Sequence, residues 1–270
     1  MTSGDVHLAD QADNGSGPHD RRVLLLTAHL IEDGRARLAA PVRAVPFTGV
    51  AAYDELLNDL TGHPHAFVFA CLVDRQIRAE RAWSVPGHVR ERIGGSFEMD
   101  ALALLSHSDW VEIMREPTAI HRLPETMADT LYRATHRVMT HYGGDAAALW
   151  NDRPGSARLV RRVLAFHGAG PKIATMAANI LVRDFHVELA DHRYIDISAD
   201  VHVRRVMHRL GYVQHDASVE DCIYAAREVS PDFPGIFDLA LWEVGRSVCR
   251  PKDPDCGSCP LRGLCAFTAR

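Results

Sequence analysis

From about residue 51 onward, apolar residues recur at intervals of three and four. The stretches YDELLNDL (53–60), HAFVFACLVDRQIRAERAW (65–83), DALALLSHSDWVEIMRE (100–116) and TMADTLYRATHRVMTHY (126–142) carry this spacing. So do ARLVRRVLAF (157–166), PKIATMAANILVRDF (171–185), DVHVRRVMHRL (200–210), VEDCIYAAREV (219–229) and PGIFDLALWEVGRSVC (234–249). Each predicts a helix with one buried stripe. Gly62-His63-Pro64, Gly94-Gly95, Pro117, Pro124 and Gly143-Gly144 separate them. Residues 22–45 read differently, as two short apolar segments around Asp33-Gly34, the pattern of a β-hairpin. The expected fold is mostly α. It has a disordered polar tail over 1–20, an extension over 21–49, a helical core of two lobes over 50–248, and a terminal loop over 249–267.

Length and composition narrow this picture. A chain of 270 residues with 47% hydrophobic content can bury a substantial core. The apolar run LLLTAHLI (24–31) is too short to span a membrane. The N-terminus has no basic-then-apolar leader pattern, so a cytoplasmic, reducing setting of the bacterial type is expected. The net charge of −5 runs against the usual nucleic-acid binder. The charge is uneven: residues 1–150 hold 14 Arg and no Lys against 20 Asp and Glu, while residues 151–270 hold 14 Arg and 2 Lys against 15. Arg153, Arg158, Arg161 and Arg162, then Arg204, Arg205 and Arg209, form local basic groups. Such groups suit a phosphate backbone, and equally the solvated faces of two helices.

Four cysteines close the chain with the spacing C-x6-C-x2-C-x5-C: Cys249, Cys256, Cys259 and Cys265. Thiolates this crowded repel one another unless a soft cation holds them. Four cysteine ligands suit a [4Fe-4S] cluster or a structural zinc. The uneven gaps argue against a zinc ribbon, which usually carries two C-x2-C knuckles.

LAFHGAGPKIATMAANIL (164–181) sets a Gly-x-Gly turn between two apolar helices. Gly168 and Gly170 allow a tight turn and close backbone approach. Pro171 pre-sets the next helix, whose free N–H groups form an anion site suited to a phosphate. This is the shape of a helix-hairpin-helix, and also of a plain αα-corner. Lys172 falls in the first turn, where the helix dipole disfavours a cation and so favours the neutral, nucleophilic amine. A lysine contacting phosphate would occupy the same position. Lys172 and Lys252 are the two lysines of the chain, so a mechanism needing an amine has two candidates. In IDISADVHVRRVMHRL (195–210), Asp200 precedes an amphipathic helix, where it reads as an N-cap and as a positioned carboxylate.

In this order the three motifs resemble the helix-hairpin-helix glycosylases of the endonuclease III branch. GAGPKIA (168–174) matches that family's G-[hydrophobic]-G-x-K-x-A hairpin, and ADVHVRRV (199–206) its V-D-x-H-[aliphatic]-x-R-V segment. The resemblance covers roughly residues 50–267 and implies a base-excision DNA glycosylase with abasic-site lyase activity. Lys172 would form a Schiff base with the sugar, and Asp200 would help deprotonate the lysine and stabilise oxocarbenium character. The terminal cysteines would hold a [4Fe-4S] cluster. AFVFACLVDRQIRAERA (66–82) resembles the helix carrying a glutamine inserted beside the flipped-out base, which places Gln76 there. In IHRLPE (120–125), Arg122 or Leu123 would enter the vacated space. Gly168, Gly170, His202, Arg204, Arg250 and Lys252, with Arg262, would meet DNA. The implied partner is double-stranded DNA with a damaged base or abasic site, bound by a monomer, and the default lesion is an oxidised pyrimidine.

The chain departs from the family pattern at several points. His167 stands where the family usually has Pro, Asp74 where it has Ser or Thr, and about nine extra residues lie around VRDFHVELADHRY (182–194). These changes bear on substrate identity. Three other readings stand beside the first: a monofunctional glycosylase for a mismatched, alkylated or modified base, a non-catalytic DNA-binding module, and a zinc-bound structural protein.

Overall fold

The structure is a computed structural model and describes residues 18–267. Short 3-10 turns at Ala146–Leu149, Pro234–Phe237 and Arg262–Leu264 apart, the regular elements of these residues are α-helices. They are α1 (Pro18–Ala39), α2 (Ala51–Asn58), α3 (Pro64–Val73), α4 (Ala79–Trp83), α5 (Val85–Arg92), α6 (Met99–Ala103), α7 (His107–Arg115), α8 (Pro124–Tyr142), α9 (Ser156–Leu164), α10 (Pro171–Arg183), α11 (Val201–Leu210), α12 (Val219–Val229) and α13 (Asp238–Ser247). The described residues divide into two compact units, one of residues 40–195 and one of the described residues up to 39 with those from 196 onward.

In the unit of residues 40–195, α3 is the central post. All ten of its residues are buried, as its unbroken apolar sequence requires. Helices α2, α5, α8 and α10 pack around it. Phe67 and Phe69 of α3, Phe97, and Trp110 of α7 are among the largest fully buried side chains, each stabilising the fold by about 1.5–3 kcal/mol. Two runs read as continuous helices are interrupted. The 65–83 run stops at Val73 and restarts at Ala79, and the 100–116 run stops at Ala103. The second restart is built by Ser106, whose hydroxyl caps α7 in a reciprocal capping box with Asp109. The extra stretch near 182–194 is held onto the start of α9. Ser156 Oγ donates to Asp191 Oδ1 and accepts from the Tyr194 N–H at 3.0 Å.

The other unit is built on Leu26 and Leu30 of α1, Val203, Val206, Met207 and Leu210 of α11, Cys222 and Ala226 of α12, and Leu241 and Val244 of α13. Here the β-hairpin expected over 22–45 is overturned: residues 18–39 are one helix. Leu26, Leu30 and Gly34 lie four residues apart, so they share one face. A Cβ on Gly34 would lie 2.3 Å from the Ile236 carbonyl oxygen. The glycine that looked like a turn is a place where two backbones approach closely. Asp33 pairs with Arg37 at 2.7 Å, an i,i+4 contact along the helix. The tail read over 1–20 lies outside the described residues except at its end, where Pro18 begins α1. No described helix is long and apolar enough to cross a membrane.

Candidate functional site

The expected hairpin is present in the unit of residues 40–195. Helix α9 ends at Leu164, and α10 starts at Pro171 with Gly170 as N-cap. Leu159, Val163 and Phe166 are buried on one side, and Ile173, Ala174, Ala177 and Ala178 on the other. The small side chains of α10 let the two helices approach. Gly168 has φ +83, a backbone conformation that favours glycine, and a Cβ there would also displace the end of the Arg75 side chain, whose Nη2 would lie 2.7 Å away. Gly170 differs: nothing lies within 4 Å of its Cβ position. The backbone at the N-terminus of α10 is therefore open to an approaching group.

Lys172 occupies the first turn of α10, and its Nζ lies 2.7 Å from Asp74 Oδ2. Asp74 is the C-cap of α3. Its side chain is 10% exposed, against 39% for Lys172. The anchor is sheltered and the amine is reachable. Each charge sits at the unfavourable end of its own helix dipole, an ammonium at an N-terminus and a carboxylate at a C-terminus. Each placement is unfavourable by about 0.3–1 kcal/mol, and the pairing offsets both.

The loop after Asp74 carries Gln76, exposed and at φ 59. Gln76 was expected on a helix; the structure places it in a loop, because the buried apolar run of α3 ends at Val73. The segment carrying Arg122 and Leu123 is tied to that same end of α3 by a residue that periodicity does not mark. His121 is fully buried. Its Nε2 lies 3.1 Å from the Val73 carbonyl oxygen, and the Leu123 N–H donates to its Nδ1 at 3.0 Å. That pair of contacts fixes the Nε2–H tautomer. Burial is the main cause holding His121 below the ordinary imidazole range, so it remains a neutral strut. Arg122 is exposed and Leu123 half-buried beside it. On the hairpin, the exposed His167 lies 3.3 Å from Asp129.

Asp200 belongs to the other unit. It is the N-cap of α11, with Oδ1 accepting from the His202 N–H at 2.8 Å and the Val203 N–H at 2.9 Å. His202 packs against α13, its Nδ1 3.2 Å from the Gly245 carbonyl oxygen. The basic group on α11 does not form a bare cationic face. Arg204 donates to the Ala217 carbonyl, and Arg205 to the carbonyls of Gly245 and Cys249. Arg209 donates to the Arg250 and Pro251 carbonyls and to Cys249 Sγ, the last at 3.2 Å. Arg205 and Arg209 staple the C-terminal loop to α11, while Arg204 ties α11 to the segment before α12. Arg250 and Lys252 are exposed on that loop. In the first basic group, Arg162 pairs with Asp152 at 2.6 Å and Arg153 with Glu188 at 3.1 Å.

All six cysteines are unbridged, and the four terminal ones are half-buried. Cys249, Cys259 and Cys265 pack against the apolar core of their unit. Burial, then the neighbouring Cys249, Cys265 and Cys256, hold the Cys259 thiol above its ordinary range. By donor type, four cysteines on one loop beside a guanidinium donor suit a four-cysteine centre. Among the described residues, no group of three or more His, Cys, Asp or Glu is drawn together as a metal site.

No family model matches the chain. Endonuclease III homolog 2, chloroplastic, of Arabidopsis thaliana is 28% identical over 115 residues, 40% of this chain and 28% of that protein. Endonuclease III of Thermotoga maritima is 33% identical over 75 residues, 27% of this chain and 35% of that protein. The matches thus span about a third of the length of these curated relatives. Among solved structures, a trapped endonuclease III–DNA covalent intermediate superposes with a TM-score of 0.57 at 18% identity, covering 81% of this chain and 94% of that one. The likeness is one of helical architecture. The chain thus shares its fold with a solved endonuclease III and short stretches of its sequence with endonuclease III proteins.

Proposed function

We propose that the chain is a base-excision DNA glycosylase with abasic-site lyase activity, acting on double-stranded DNA. The observation that carries this reading is Lys172: a reachable amine at the start of the second hairpin helix, held at 2.7 Å by a sheltered carboxylate. Taking a base out of the stack exposes its sugar to such a group. Nζ then attacks the anomeric carbon C1′, and the bond from C1′ to the base breaks, its electron pair leaving with the base. Ring opening gives a Schiff base on Lys172. Of the three ammonium protons, one ends on the departing base, one on the sugar ring oxygen, and one stays on the iminium nitrogen. Loss of a proton from C2′ then expels the 3′ phosphate oxygen by β-elimination.

Asp200 is the carboxylate that stabilises positive charge developing on the sugar. The open backbone at Gly170 and the N-terminus of α10 suit a DNA phosphate. Gln76, with Arg122 or Leu123, fills the space left by the base. Gly168, His202, Arg204, Arg250 and Lys252 complete the proposed DNA-contacting set. Cys249, Cys256, Cys259 and Cys265 would hold a [4Fe-4S] cluster, which would fix the loop that Arg205 and Arg209 already staple. The default substrate is an oxidised pyrimidine. The test is borohydride trapping over a panel of duplexes carrying different damaged bases or an abasic site. A covalent complex with the abasic duplex and with at least one lesion is expected. The absence of an adduct with every duplex would overturn the reading.

A further inference from the structure

We propose that Asp74 is the proton acceptor that turns the Lys172 ammonium into the attacking amine, and that it returns the proton to the departing group. This deepens the proposed function and rests on Lys172 being the nucleophile. The family pattern has Ser or Thr at this position, so the carboxylate is a feature of this chain.

Three observations support the assignment. The first is contact: Nζ lies 2.7 Å from Oδ2 and 3.5 Å from the Asp74 carbonyl oxygen, so the ammonium is aimed at the end of α3. The second is shelter, since the acceptor is almost buried while the amine is reachable. The third is the pair of helix ends. The N-terminus of α10 disfavours the ammonium, and the C-terminus of α3 disfavours the carboxylate. Both fields therefore lower the cost of moving one proton from Nζ to Oδ2. The neutral amine is the state in which Nζ is a nucleophile.

On an abasic sugar in its aldehyde form the step balances without a co-reactant. Nζ gives one proton to Asp74 and attacks C1′. As the carbon–nitrogen double bond forms, the carbonyl oxygen leaves as water. It takes the proton stored on Asp74 and a second proton from nitrogen. One proton and one positive charge remain on the iminium. Other titratable groups on the surrounding elements are Cys71 of α3, Arg75, His121 on the segment carrying Arg122 and Leu123, and the Asp129–His167 pair beside the hairpin. Of these, Arg75 turns its guanidinium toward Thr130 Oγ1 at 3.2 Å.

The experiment is single-turnover cyanoborohydride trapping on an abasic duplex, from pH 6 to 8, with the full chain and the variants Asp74→Asn, Asp74→Glu and Lys172→Gln. Wild type should show a nearly flat profile, because the acceptor travels with the amine. Asp74→Asn should trap on the order of 100-fold more slowly at pH 7, with a rate that climbs with pH as the amine loses its proton to solvent. Asp74→Glu should recover much of the rate and the flat profile, while duplex affinity stays unchanged in all three variants. An Asp74→Asn rate equal to or faster than wild type would overturn the proposal, because the ion pair would then only hold the lysine. If Asp74→Asn does not fold, the wild-type profile decides: a tenfold rise per pH unit would also overturn it. If wild type traps, Lys172→Gln does not, and Asp74→Asn matches wild type, the nucleophile stands and the acceptor falls. If wild type itself forms no adduct, the functional reading falls.

Discussion

Lys172 and Asp74 are 98 positions apart in sequence and 2.7 Å apart in space, joining the first turn of α10 to the last turn of α3. Lys172→Gln keeps a polar side chain of similar reach and removes the amine. It should abolish covalent trapping on every duplex while leaving duplex affinity within a few-fold of wild type. Electrophoretic mobility shift beside the trapping gel checks both, and normal trapping by the variant would remove Lys172 from the chemistry.

Asp200→Asn separates charge from capping. Asn caps a helix about as well as Asp, so unfolding in urea should move by less than about 0.5 kcal/mol. Base excision should fall on the order of 100-fold or more, as for removal of one preorganised charge from a reacting site. Equal activity in the two proteins would leave Asp200 as a cap and nothing else.

Gly34 reports on the N-terminal helix. Gly34→Ala gains up to about 1 kcal/mol of helix propensity. It also places a methyl 2.3 Å from the Ile236 carbonyl oxygen, and backbone must move. The net expectation is destabilisation of about 1–3 kcal/mol. A urea midpoint higher than wild type would show that this close approach is absent.

Arg209 donates to Cys249 Sγ and to two carbonyls of the terminal loop. Given a cluster on the four cysteines, Arg209→Ala should lose iron several-fold faster in the presence of a chelator, before any loss of helix content. Cys256→Ser should lower iron per chain outright. Iron retention unchanged in both would dissociate the loop from metal binding.

The extra stretch near 182–194 should leave a signature in acid. The Ser156 hydroxyl is the leading cause holding Asp191 below the usual carboxylate range. A carboxyl depressed in the folded state adds stability above its unfolded pKa and loses it as pH falls through the folded one. Ser156→Ala should therefore destabilise by about 1–3 kcal/mol at neutral pH, with the gap to wild type narrowing in acid. A gap independent of pH would place the effect elsewhere.

Much of this was legible in sequence because it is periodic or local. The three–four spacing marks helices such as Val219–Val229, the Gly-x-Gly turn marks the hairpin, and an Asp before an amphipathic run marks an N-cap. Three features escaped for physical reasons. Asp33-Gly34 imitates a turn, yet the glycine serves a contact with Ile236 about two hundred residues away. Gln76 lies where the helical periodicity of the sequence continues, but the buried stripe stops at Val73 and Gln76 has a positive φ of 59. The roles of Asp74, His121, Arg205 and Arg209 depend on distant backbone or side-chain partners, which leave no spacing in the sequence.

The chain contains only two lysines, Lys172 and Lys252, so the most direct measurement is a map of the covalent bond. Borohydride-reduced adduct with an abasic duplex, digested and sequenced by mass spectrometry, should carry the sugar remnant on the peptide containing Lys172. A remnant on Lys252 or elsewhere, or no adduct at all, would contradict the assignment of Lys172 as the nucleophile.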